Sequence, residues 1–259
     1  MTSGAGRGPS SVRHRPLPGG RHDRHHQLTP DDHADDLRRV VEAIGGGPVD
    51  VLASSGGAVN ALAWVARHPE QVRTLVAHEP PLATLLADRD AMTAVIADTH
   101  ETYQRDGVGP GMAKFIMLVG HDGELPDGFR FPPVDPAQFG LPTEDDGSRG
   151  DALLGQNLRN STGYRPDFAA LRAAGSRIRL ARGEKSGQTM AARGADAVAA
   201  RLGVEPVVFP GDHAGFLGGE YGMHGEPDGF ARRLREVLDA DQGSWLRARR
   251  RAAPRCRSL

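Results

Sequence analysis

Cysteine is almost absent from the chain: of 259 residues only Cys256 carries a thiol. This excludes an internal disulfide framework and any cysteine-based zinc site. Lysine is nearly as scarce. Lys114 and Lys185 are the only two, so 30 of the 32 basic residues are arginine. Neither sign of charge dominates. The 33 acidic residues nearly balance the basic ones, for a formal net charge of −1, which argues against a wholesale nucleic-acid binder or an acidic tail protein. No apolar run approaches the 18 or so residues of a spanning helix. The first residues lack the apolar stretch of a secretory signal, so a cytoplasmic protein without membrane partners is expected. What remains is ordinary for a globular chain: 38% apolar residues, to which 34 glycines add.

The two ends differ from the middle. Residues 1–28 hold Arg7, Arg13, Arg15, Arg21 and Arg24, four histidines and no apolar cluster. Such a segment buries too little to offset its ordering entropy, so a disordered tail is expected. Its His22, His25 and His26 suit a solvated tail better than a metal site. Residues 240–259 form an arginine-rich tail, with Arg247, Arg249, Arg250, Arg251, Arg255 and Arg257. It lacks the aromatic interleaving expected of a nucleic-acid surface.

Order begins at Thr29, a good N-cap, followed by Pro30 and the acidic pair Asp31 and Asp32. Leu37, Val40, Val41 and Ile44 then repeat at helical spacing until Gly45-Gly46-Gly47-Pro48. Strands are expected at 49–53, 72–77, 177–182 and 205–209. Helices are expected at 58–67, 189–202 and 228–238. Strands alternating with helices indicate a mostly parallel sheet, because parallel neighbours need a crossover. The fold class is therefore α/β, with core segments at 29–82 and 171–239. Between them, residues 83–170 read as helices around a Gly, Pro and Asp-rich loop, which suits a helical lid over a site.

The chemistry concentrates at Ala53-Ser54-Ser55-Gly56-Gly57, between an expected strand and an expected helix. It resembles the nucleophile elbow of the α/β-hydrolase family, where the residues two before and two after the nucleophile must be small. Centred on Ser55 these are Ala53 and Gly57, and both fit. Centred on Ser54 they would include Leu52, which is too large. The resemblance runs from about residue 29 to 238 and is strongest around Ser55 and in Val207–Phe216. It implies Ser55 as nucleophile, the N–H of Gly56 as an oxyanion donor and His213, after the last strand, as base. His224 is a weaker second choice.

Two acids are open. The family often places its carboxylate after the strand at 177–182, where this chain has Gly183-Glu184-Lys185-Ser186 with Ser186 in the acid's register. Other members place it after the strand that follows the nucleophile helix, which here ends in His78-Glu79-Pro80-Pro81. Glu79 is preferred and Glu184 is the alternative. The resemblance further implies a small ester, thioester or lactone as substrate and no cofactor or metal. It also implies about eight strands with the serine after the fifth. Counterparts of the early strands and of the first oxyanion loop are not found, so the chain reads as an N-terminally incomplete member. The competing reading is therefore a catalytically impaired fragment that acts as a binding protein.

Overall fold

A computed structural model describes residues 27–45 and 47–252. The tail expected over 1–28 lies outside the described residues up to position 26. Leu28 is held by the 153–162 region: its N–H donates to Gln156 Oε1 and its carbonyl accepts from Asn160 Nδ2.

Helix α1 (Pro30–Ala43) starts as its sequence dictates. The Thr29 hydroxyl accepts the Asp32 N–H, and the Asp32 carboxylate accepts the Thr29 N–H, so two of the helix's orphan donors are satisfied. Strand β1 (Val49–Ser54) leads into helix α2 (Gly56–Arg67), and β2 (Val72–His78) follows. The chain then leaves the sheet for α3 (Arg89–Asp106) and α4 (Val108–Gly120). A long irregular stretch ends in a π-helical turn (Leu153–Asn157), α5 (Leu158–Thr162) and α6 (Phe168–Ala173). It returns through β3 (Arg177–Gly183), α7 (Met190–Leu202), β4 (Val207–Phe209) and α8 (Pro227–Ala252).

The four strands lie in the order β1-β2-β3-β4, every neighbouring pair parallel. The expected core segments 29–82 and 171–239 contain all of them. Side chains alternate between faces. Leu75, Ala77, Ile178 and Leu180 join α1, α2, α6 and α7 in one apolar core. Val76, Ala181 and Phe209 face the other way, onto Phe230 and Val237 of α8. Helices thus cover both faces, as a parallel sheet requires. In the register of the sheet Ser54 pairs with His78 and His78 with Ala181. The strands therefore end level at one carboxyl edge.

The structure differs from the sequence-based expectations in three places. Val40 and Ile44 share the helical spacing of α1, yet both are exposed, as is Leu52 on β1. Among the described residues β1 is the outer strand, and no strand covers that side. Helix α6 carries no mark in the sequence because six residues give too little periodicity, although Asp167 caps it by accepting the Ala170 N–H. Helix α8 does not stop at Leu238 but runs to Ala252, into the segment expected as tail. The region 83–170 builds an apolar core of its own, in which Met92, Val95, Tyr103, Leu118 and Leu154 are buried. Gly111 is required there, since a Cβ would stand 2.7 Å from that of Tyr103.

Candidate active site

Ser55 sits where β1 turns directly into α2, with φ 55° and ψ −131°. Positive φ is unfavourable for a residue with a side chain and stores about 1–3 kcal/mol of strain. The turn is held by its neighbours. The Ser55 N–H donates to the His78 carbonyl at 2.9 Å, and the Ser55 carbonyl accepts the N–H groups of Ala58 and Val59. Because the turn is that sharp, the adjacent serines part company. Ser54 Oγ lies 3.0 Å from His78 Nδ1, inside the sheet, while Ser55 lines a cavity of about 440 Å³.

The next strand carries the second strained residue. Glu79 follows β2 with φ 49°, and its N–H donates to the Ala181 carbonyl across the sheet. Its side chain is fully buried. One carboxylate oxygen accepts the Gly183 N–H at 2.8 Å, and the other lies 2.6 Å from His213 Nδ1. Burial opposes its ionisation, but His213, the Ser186 hydroxyl and the Gly183 N–H hold the carboxyl below its usual range.

His213 comes from the loop after β4, and glycine makes its approach possible. A Cβ on Gly183 would stand 2.6 Å from the Gly211 carbonyl and 2.7 Å from Asp212 Cα. Only a bare backbone lets that loop settle on the end of β3. Asp212 then shapes the loop by accepting the Ala214 N–H on its side chain and the Gly215 N–H on its carbonyl. His213 stacks on His78 with ring centroids 5.8 Å apart and lines the same cavity as Ser55.

The structure therefore brings Ser55, Gly56, His213 and Glu79 to one edge of the sheet. Glu184 is not among them: it is exposed, and its backbone N–H is tied to the Phe209 carbonyl. The neighbouring Lys185 pairs with Glu226. His224 lies at an isolated bridge opposite Gly218 and does not line the cavity. Ser186, in the register where the family often has its acid, is buried close to Glu79, its hydroxyl without a hydrogen-bond partner among the described residues.

Two contributors are not evident from the sequence. His78 is wholly buried, bonded to Ser54 and ringed by Phe209, Phe216 and Phe230. Ser161 of α5 is buried against the elbow, its hydroxyl 3.3 Å from where a Gly56 Cβ would stand. The signal for His78 is its place directly before Glu79 at a strand end. Ser161 has none. The ligand atoms of His78, Glu79 and His213 lie within 4.8 Å of one another. A metal among them would have to break the bond between Glu79 and His213.

Burial and the nearby His213 push the His78 imidazole down to about 4, against a partial rise from Glu79. Between 6.5 and that value the unfolded chain holds a proton on this residue that the folded chain lacks. Acid therefore favours unfolding in that window. Glu79, lowered in the folded state, adds a loss in the same direction at lower pH. The melting temperature is expected to fall as pH drops from 6.5 to 4. In His78→Gln the fall over this window should be shallower, as thermal denaturation followed by circular dichroism would show.

The family model for the alpha/beta hydrolase fold matches residues 4–111. Solved structures agree. A carboxylesterase from Nitrososphaera gargenis is 17% identical with a TM-score of 0.52, over 84% of this chain and 74% of its own. A thermophilic esterase from Thermogutta terrifontis is also 17% identical, with a TM-score of 0.54 over 83% and 74%. No curated protein matches in sequence. Among the described residues no helix is long and apolar enough to cross a membrane.

Proposed function

We propose that the chain is a serine hydrolase built on the α/β-hydrolase fold, acting on small carboxylic esters or related acyl compounds. The observation that carries this reading is the convergence of strained Ser55 and Glu79-bonded His213 on one cavity. In the proposed cycle Ser55 Oγ attacks the acyl carbon while His213 Nε2 accepts its proton. The carbonyl oxygen becomes an oxyanion, toward which the N–H of Gly56, at the start of α2, would donate. Collapse breaks the bond to the leaving oxygen, which takes the proton from His213. A water molecule then repeats the sequence on the acyl-enzyme, restoring Ser55 and releasing the acid. Glu79 holds the imidazole and stabilises its positive charge.

The segment 83–170 acts in this reading as the lid. Phe115, Ile116 and Val119 of α4, with Leu153 and Leu158, wall the cavity beside Ser55. Leu118 of α4 and Tyr103 of α3 are core residues instead. Apolar walls favour an unbranched acyl chain over a charged one. Each buried methylene contributes about 0.8 kcal/mol. With p-nitrophenyl esters, kcat/KM is therefore expected to rise about three- to fourfold per methylene from acetate to butyrate, and to level off once the cavity is filled. Folded protein that hydrolyses none of the series would contradict the proposal and favour a binding role.

A further inference from the structure

A second cavity, of about 350 Å³, shares no lining residue with the first. Three arginines from separate parts of the chain line it: Arg89 at the start of α3, Arg165 between α5 and α6, and Arg201 in the last turn of α7. Phe168, Leu85 and Thr84 complete most of its wall. No carboxylate lines it. The nearest acids in sequence are used elsewhere. Asp88 pairs with Arg193, Asp167 caps α6, and Asp90 comes only within 3.9 Å of Arg89, both side chains being exposed. Arg165 has no ion-pair partner among the described residues. Arg201 is steadied over the Phe168 ring at 5.7 Å.

Three exposed arginines thus line one concavity with no carboxylate in its wall. A concave surface of one charge sign concentrates counter-ions. Arginine forks match the oxygens of phosphate in paired hydrogen bonds, and three forks suit a group with three terminal oxygens. The Phe168 and Leu85 side chains offer an apolar shelf for whatever the phosphate is attached to. We propose that this cavity binds the phosphate group of a small phosphorylated molecule, at a site separate from the ester-cleaving centre.

Calorimetric titration of the full chain at low salt tests this, with phenyl phosphate, inorganic phosphate and phenol as probes. Saturable one-to-one binding of phenyl phosphate is expected, and none of phenol. Arg89→Gln, Arg165→Gln and Arg201→Gln should each weaken binding by about tenfold or more, the usual cost of a charge-assisted hydrogen bond. Arg165→Lys should recover only part of the loss, since it keeps the charge but not the fork. Arg130→Gln, an exposed arginine outside the cavity, should change nothing. Inorganic phosphate binding as tightly as phenyl phosphate would support the site with the free anion as its occupant. Tighter phenyl phosphate would support a phosphate ester. The inference is overturned if neither phosphate binds saturably, if the triple glutamine variant still binds, or if Arg130→Gln weakens binding equally.

Discussion

Replacing Ser55 by alanine is expected to lower ester hydrolysis by several orders of magnitude, while Ser54→Ala leaves most of it. The expectation rests on where the two hydroxyls stand. Ser55 lies in the strained turn and lines the cavity that His213 also lines. Ser54 is spent on His78 inside the sheet. Removal of a nucleophile leaves only the contribution of binding and the oxyanion donor, so losses near 10⁶ in kcat are the precedent for such sites. Alanine has the same Cβ as serine, so the strained turn is preserved and the folded state should persist. Ser54→Ala removes one hydrogen bond, with a cost to stability of about 1 kcal/mol. Steady-state kinetics on p-nitrophenyl butyrate, with melting curves as control, separates the two. A Ser54→Ala variant as inactive as Ser55→Ala at full folding would move the nucleophile.

Glu79→Gln should be the second largest effect. The carboxylate is 2.6 Å from His213 Nδ1 and fully buried. Its negative charge both selects the imidazole tautomer and stabilises the cation that forms on proton transfer. An amide of the same shape can present its N–H to Nδ1 and so favour the wrong tautomer. Loss of about 10⁴ in kcat is the measured scale of that change in a serine protease triad. Glu184→Gln is expected to cost little, because Glu184 is exposed and takes no part in the contact. The reverse ranking would reassign the acid. The substituted amide also faces the Gly183 N–H, so a moderate loss of stability should accompany Glu79→Gln, and activity should be compared well below its melting temperature.

Much of the fold is legible in the sequence because its signals are local. The Thr29-Pro30-Asp31-Asp32 cap, the glycine stop after Ile44 and the strand–helix alternation each act within a few residues, and the parallel sheet is their consequence. The steric rule at the elbow needs only the sizes of Leu52, Ala53 and Gly57 to prefer Ser55. Elements whose form depends on distant partners are not legible. Helix α6 stands on one cap and on packing of Leu171 in the core. Helix α8 runs past Leu238 with no stop signal until Pro254. The choice between Glu79 and Glu184 hangs on which carboxylate faces His213: its loop settles on the end of β3, yet Glu184 there is exposed while Glu79 reaches it from β2, a contact between residues far apart in sequence. His78 is the clearest case. In sequence it is one more histidine, yet burial against three phenylalanines and Ser54 makes it the packing centre beneath the site.

Covalent labelling with a fluorophosphonate, followed by mass spectrometry of the modified peptide, bears most directly on the proposed chemistry. The reagent forms a stable adduct only with a serine whose hydroxyl is activated by a base and opens to a cavity. One adduct is expected, on Ser55, absent from Ser55→Ala and formed far more slowly by His213→Ala and Glu79→Gln. An adduct on Ser54, or no adduct on folded protein under conditions that label other serine hydrolases, would contradict the assignment of Ser55, His213 and Glu79 as a working triad.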